Sequence, residues 1–281
     1  MKNIENKKNI CSNWFKTLRD QIFTEIQVLE EKEIKFKKKK WKRNKNQKND
    51  LGGGEMGILR GKTFEKAGVN ISTVYGPIPK ELSGKIPGSE NVKNFWASGI
   101  SVVIHPFSPK IPAVHMNTRF IVTNKSWFGG GMDITPSNLD SAESKKIAKI
   151  FHKNIKKVCD EYKTGSYVKF KNWCDEYFYL PHRQEARGLG GIFYDYLNSG
   201  NWEQDLEFTK NVGDTFIKSF VQIVKMTKNL KWNEKDKRIQ LHRRSRYTEF
   251  NLLYDRGTKF GLQTDGNIEA ILMSLPPSTG W

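Results

Sequence analysis

Tyr247–Pro277 reads YTEFNLLYDRGTKFGLQTDGNIEAILMSLPP. Charged residues alternate there with apolar ones, and glycines fall where the chain must turn. Short alternating segments bounded by glycine are the pattern of paired strands. The stretch therefore predicts three strands, Tyr247–Tyr254, Lys259–Gln263 and Ile268–Met273. Its apolar set (Phe250, Leu252, Tyr254, Phe260, Leu262, Ile268, Ile271, Met273) would give the strands one face for the core and another left to cover. Further back, Ala97–Ile104 and Thr118–Thr123 predict two more strands, joined by the proline-bearing loop HPFSPKIPAVHM. Helical spacing predicts three helices. Ser12–Ile34 carries Phe15, Leu18, Ile22, Ile26 and Leu29, with Ser12 as its cap. Ser141–Tyr162 turns Ile147, Phe151, Ile155 and Val158 inward, and Glu203–Met226 carries Phe208, Val212, Phe216 and Phe220. The combination is α+β, a mostly antiparallel sheet with helices packed on it. Residues 1–50 read as an N-terminal helix and basic segment, LGGGEMG as a hinge, and residues 51–281 as a catalytic unit, with one domain overall.

Composition narrows the function. With 37% hydrophobic residues the chain can build a core, unlike a disordered protein. No apolar run approaches the roughly 20 residues of a membrane helix, and MKNIENKKNICSNW lacks the apolar segment of a secretory signal. Cys11, Cys159 and Cys174 are scattered, which suits a reducing cytoplasm and neither a disulfide framework nor a zinc site. The net charge is +18, much of it in KEIKFKKKKWKRNKNQK from Lys32 to Lys48. Such a run is a solvated segment, or it contacts nucleic acid, a membrane surface or an acidic substrate. A positive surface raises the local concentration of an anion.

Nucleotide motifs fail. Gly61-Lys62-Thr63 ends like a phosphate-binding loop, but Met56 stands where its first glycine belongs. In RGLGGIF, Phe193 occupies the place of a dinucleotide fingerprint's third small residue; these glycines read as tight turns or close packing. Arg119, Arg183, Arg187 and Arg256 lie in glycine-rich blocks, and a guanidinium matches a carboxylate with two parallel N–H bonds. Asp133 follows three glycines and Asp255 precedes Arg256; each reads as a turn cap or ion pair, or as a carboxylate that takes part in proton transfer. Among the five histidines, His105 and His115 flank one loop and His182 opens HRQEARG.

The blocks FEKAGVNIS from Phe64, ASGISVVIHPFSP from Ala97, PAVHMNTRF from Pro112, WFGGGMDITP from Trp127 and HRQEARGLGGIFYDY from His182, followed by the stretch from Tyr247, resemble the oxygen-dependent coproporphyrinogen III oxidases in order and spacing. The resemblance implies a single large antiparallel sheet flanked by helices on both faces, assembled as a homodimer through the C-terminal segment. It implies oxidative decarboxylation of two propionates of coproporphyrinogen III to vinyl groups, giving protoporphyrinogen IX in haem biosynthesis, with dioxygen as oxidant and no organic cofactor. It carries catalytic roles to His115, Asp133, Arg187, Asp255 and Arg256, with Asp133 facing the pyrrole N–H groups. Substrate-binding roles fall on Ser101, Asn117, Thr118, Arg119, Asp265, Gly266 and Asn267. His105, His115, His152 and His182 match proposed ligands of a divalent metal, which is possible here but not favoured over substrate and proton-transfer roles. The chain departs from the family at Asp265 and Asn267, at Ser245, and in its short end after MSLPP. The rival readings are a basic nucleic-acid- or membrane-surface-binding protein and a non-catalytic tetrapyrrole binder.

Overall fold

The computed structural model describes residues 2–43, 50–78, 87–90, 92, 94–263 and 266–281. Seven strands form one sheet in the order β1-β2-β3-β4-β5-β6-β9: β1 Lys37–Lys42, β2 Gly52–Leu59, β3 Phe64–Pro77, β4 Asn94–Pro106, β5 Ala113–Val122, β6 Ser126–Thr135 and β9 Gly191–Leu197. Every neighbouring pair is antiparallel, as the α+β reading requires. A small hairpin, β7 Tyr179–Leu180 with β8 Glu185–Ala186, precedes the last strand. The helices are α1 Lys2–Val28, α2 Ala142–Tyr162, α3 Ser166–Tyr177, α4 Trp202–Thr227, α5 Glu234–Leu253, α6 Arg256–Gln263 and α7 Ile268–Ile271.

Strand alternation gives the sheet two unlike faces. On one, Val69, Ile100, Val102, Met116, Phe120, Met132 and Ile192 meet α1, α2 and α4 in one apolar core, with Leu18, Phe151 and Phe220 fully or almost fully buried. Gly213 on α4 allows a close crossing, since a Cβ there would stand 2.6 Å from Leu18. On the other face lie α5, α6, α7 and the final residues. Tyr247 of α5 packs on His105, Phe260 of α6 on Phe95, and Met273 over Gly68.

The helices expected at Ser141 and Glu203 are present, the first capped by the Ser141 side chain. Two other expectations change. The first helix starts ten residues before Ser12, whose hydroxyl bonds back to the Asn9 carbonyl instead of capping, and ends at Val28. The supposed hinge is strand β2, where glycine has a packing reason: a Cβ on Gly54 would stand 2.6 Å from the Trp41 ring. The described part of the basic run is largely the edge strand β1, with Lys37–Lys40 exposed, and charged edges discourage strand addition by another chain.

The strands expected in Tyr247–Met273 are a correction. All three segments are helical. Each of these helices begins at a side-chain cap: Asn233 and Asp236 form a capping box for α5, Asp255 accepts from Thr258 N at the start of α6, and Asn267 accepts from Ala270 N at α7. Tyr247, Phe250 and Tyr254 recur at helical spacing, and this set packs. With the strands goes the argument that they expose a second sheet face.

Because α1 contributes to the main core, Leu18→Ala is expected to destabilise the whole protein by about 2–5 kcal/mol. Urea unfolding followed by circular dichroism checks this; an unchanged midpoint would detach α1 from the cooperative unit.

Candidate active site

On β5 the odd-numbered side chains His115, Asn117 and Arg119 point to the second face and are partly exposed, whereas Val114, Met116, Thr118 and Phe120 are buried toward the core. Thr118 therefore lies on the opposite face from the substrate-binding neighbours assigned to it. The register sets His115 beside Asp133, Asn117 between Ser101 and Gly131, and Arg119 between Gly99 and Gly129. Glycine is required on this strip: a Cβ on Gly129 would stand 2.5 Å from the Asp195 carboxylate and 2.9 Å from the Arg119 guanidinium.

A continuous polar chain runs along the strip. Buried Arg187 donates through Nη2 to Asp133 Oδ2 at 2.5 Å, and His115 Nδ1 lies 2.7 Å from Asp133 Oδ1. Asn117 Nδ2 reaches His115 Nε2 at 3.2 Å, and Arg119 Nη1 donates to Asn117 Oδ1 at 3.1 Å. Arginine has only donors, so it fixes the Asn117 amide with its NH₂ toward His115. His115 Nε2 then accepts, and Nδ1–H donates to Asp133. Arg119 ends the chain on Asp195, 2.8 Å from its carboxylate.

Burial alone would raise the Asp133 pKa, but Arg187 and the hydrogen bond from His115 outweigh it and hold the carboxyl below its usual range. Both of its oxygens are thus engaged by protein groups, Arg187 and His115. Arg187 sits against the rings of Phe178, Tyr247 and Phe250, 3.8, 4.5 and 4.9 Å away, and its Nη1 approaches Asn251.

Asp255 and Arg256 lie at the start of α6. Asp255 accepts from Tyr177 Oη at 2.8 Å and from Thr258 N, a helix cap in place of the ion pair considered from sequence. Arg256 lies over the rings of Tyr177 and Phe193 and leans toward Asp195. Asn267 is engaged in capping α7, Gly266 N bonds Gly261 O, and Asp265 falls outside the described residues. Arg183 pairs with Glu249 away from the strip.

The structure does not bring the four histidines together. His105 Nε2 donates to Ser274 O, His152 bonds Leu189 O and Tyr167, and His182 bonds Glu249 and Tyr254. No group of three or more His, Cys, Asp or Glu residues suited to a metal occurs among the described residues. Asp195, Asn251 and Tyr177 went unseen in the sequence; the Asp in FYDY, at the end of a strand block, was the available signal for the first.

An open, glycine-floored strip with an imidazole–carboxylate pair at one end and two arginines at the other defines an α+β protein equipped to hold carboxylates beside a proton-transfer group. The family model described as coproporphyrinogen III oxidase matches residues 10–281, so the chain belongs to that family. It is 53% identical over 281 residues to the oxygen-dependent coproporphyrinogen-III oxidase of Rickettsia bellii (strain RML369-C), covering 98% of this chain and 99% of the relative. It is 55% identical over 278 residues to the protein of the same name from Rickettsia rickettsii (strain Sheila Smith), covering 98% of each. Among solved structures, tomato phytochromobilin synthase in complex with biliverdin shares the fold, with TM-score 0.61, 11% identity, and coverage of 94% of this chain and 86% of that one.

Burial pushes the His105 imidazole down to about 3 and lowers that of His152. The unfolded chain takes up protons from about pH 6.5 that the folded chain refuses, so stability falls as pH drops from about 6.5 toward 3. Each such group steepens the fall by up to about 1.4 kcal/mol per pH unit. His105→Gln is expected to flatten the loss between pH 7 and 5 in urea titrations; an unchanged slope would refute the assignment.

Proposed function

We propose that this protein catalyses oxygen-dependent conversion of coproporphyrinogen III to protoporphyrinogen IX in haem biosynthesis. The observation that carries the reading is the Asp133–His115–Asn117–Arg119 chain on the open strip, in a sequence more than half identical to relatives of that name. In each of two turnovers a propionate loses its carboxylate as CO₂ and one hydrogen from the ring-adjacent methylene. The electron pair of that C–H bond, with its proton and one proton from solvent, reduces one O₂ to H₂O₂, while the pair of the broken C–CO₂ bond becomes the vinyl double bond.

Once the substrate displaces the Asn117 amide from it, His115 Nε2 is the atom that takes a proton from the pyrrole N–H, raising the electron density of the ring for reaction with dioxygen. Asp133 fixes the tautomer and stabilises the imidazolium, and Arg187 keeps Asp133 ionised. Arg119 and Arg256 receive propionates, and Ser101 and Asn117 line the strip. Asp255 acts by placing Arg256. No organic cofactor takes part, and no metal held by His105, His115, His152 and His182 is needed, since their ring nitrogens serve other partners or, for His105 Nδ1, lie buried.

Turnover is expected to require O₂, to need no added flavin or nicotinamide, and to survive exhaustive chelation, with protoporphyrin fluorescence after oxidation as the readout. His115→Gln, which leaves the Asp133–Arg187 pair intact, should lower kcat and kcat/KM together by about 10²–10⁴. Equal turnover without O₂, or near wild-type kinetics in that variant, would sink the reading.

We further propose a cytoplasmic enzyme working as a homodimer through the C-terminal segment. No helix among the described residues is long and apolar enough to cross a membrane. Leu252, Leu262 and Ile268 on α5, α6 and α7 are about half exposed or more, and exposed apolar side chains, where they form one patch, mark interfaces. Light scattering at micromolar concentration should give twice the chain mass; a fully active monomer would reject the dimer.

A further inference from the structure

We infer that Asp195 is a positioning residue that aligns Arg119 and Arg256, from separate elements, into one clamp for a single substrate carboxylate. The inference rests on the reading that these arginines receive propionates, and it addresses a feature that reading leaves unexplained. A site for a polyanion keeps a largely covered carboxylate against its own arginines. The Asp195 side chain is 9% exposed and lies 2.8 Å from Arg119 Nη2 and 3.9 Å from Arg256 Nη2. Its negative charge opposes substrate binding, so what it contributes must be geometry.

The local backbone is built to deliver it. Between Phe128–Leu197 and Gly130–Tyr194 the register of β6 and β9 shifts. Two steps along β6 match three along β9, which places a bulge at Asp195–Tyr196 opposite Gly129. Bulges re-aim side chains. Tyr196 takes φ +54°, a left-handed conformation unfavourable for a residue with a Cβ, and its N–H donates to Asp195 Oδ1 at 3.0 Å. Backbone strain of this kind costs on the order of 1–3 kcal/mol and persists where surroundings enforce it. Gly129 completes the device, because a Cβ there would overlap both Asp195 and Arg119.

Asp195 Oδ2 draws both guanidinium groups toward one point and offsets part of their mutual repulsion. Asn117 holds Arg119 from the other side, and Tyr177 and Phe193 lie beneath Arg256. Two guanidinium groups and one carboxylate sum to one positive charge, matching one propionate. Without Asp195 the arginines separate, a propionate still binds somewhere between them, and the neighbouring reacting propionate loses its alignment. Remote contacts used for orientation act mainly on kcat.

The test compares wild type with Asp195→Asn, which keeps an oxygen for the Tyr196 N–H, and with Asp195→Ser in case the first variant folds poorly. Steady-state turnover of the porphyrinogen gives kcat. Fluorescence quenching with the oxidised tetracarboxylate porphyrin gives binding, and a thermal melt monitors folding. We expect kcat to fall at least about tenfold while porphyrin Kd changes less than about threefold. A kcat within about twofold of wild type, or parallel losses in kcat, binding and melting temperature, would overturn the inference. Arg119→Ala separates the two levels: if it leaves porphyrin binding unchanged, the underlying reading of the arginines fails. If it weakens binding while Asp195→Asn leaves kcat unchanged, only the role of Asp195 fails.

Discussion

The buried ion pair between Asp133 and Arg187 is the constraint around which the second face is organised. Both side chains are at most 3% exposed, and taking two charges out of water costs several kcal/mol per ion unless geometry and further hydrogen bonds compensate. The pair and the groups that compensate it come from five separate elements. β6 supplies the carboxylate, β5 the His115 donor, and the turn after α3 the Phe178 ring. α5 adds Tyr247, Phe250 and Asn251, and the segment after β8 brings in Arg187 itself. The β7–β8 hairpin must then be fixed, and Glu249 fixes it by accepting from Arg183 and His182. Those contacts, led by Arg183, depress the Glu249 carboxyl to about 2. Stability and function thus share a support: α5 covers the ion pair and, through it, orients the imidazole on the open strip.

How much of this was legible in the sequence depended on which signal was local. The helix after Ser141 was legible because a cap and a clean apolar stripe coincide. Strand β4 was legible, but β5 only from Thr118 onward, because the prolines drew Ala113–Met116 into the expected loop; the α+β class held although three of the strands first counted toward it are helical. Tyr247–Met273 misled because Phe250, Leu252 and Tyr254 alternate as a strand would, while Tyr247, Phe250 and Tyr254 also fit a helix. Tertiary burial of the aromatic set decided between them, and Leu252 was left exposed. The capping residues Asn233, Asp255 and Asn267 were in plain view as the deciding local signal. The site was legible as residues and illegible as geometry. His115, Asp133, Asn117, Arg119 and Arg187 form one chain only because the β5–β6 register and the Arg187 approach bring them together. Thr118 falls out of the set by the same alternation that admits its neighbours.

His105 and Lys66 show how the second face holds its own cover. His105 Nε2 donates to Ser274 O and Lys66 Nζ to Leu275 O, so two basic side chains bind backbone carbonyls of the final segment. Burial moves both toward their neutral forms, His105 to about 3 and Lys66 to about 8.

The result is an asymmetry of charge along the face. Asp133 is matched by Arg187 and His115, Asp255 by Tyr177 and the α6 backbone, and Asp195 by two arginines. Each of these carboxylates is committed to an internal partner. The arginines at the open end carry one more positive charge than the carboxylate between them. A face whose uncommitted charge is positive, on a chain of net charge +18, would, on the proposed reading, draw a tetra-anionic substrate over long range and hold it at short range. The long-range part weakens as salt screens it, with a Debye length of about 8 Å at physiological ionic strength. The short-range part does not, because it acts within a hydrogen bond's length. On the proposed reading, capture of the substrate is a property of the whole basic surface, whereas its orientation belongs to the few guanidinium groups that internal carboxylates and amides hold in place.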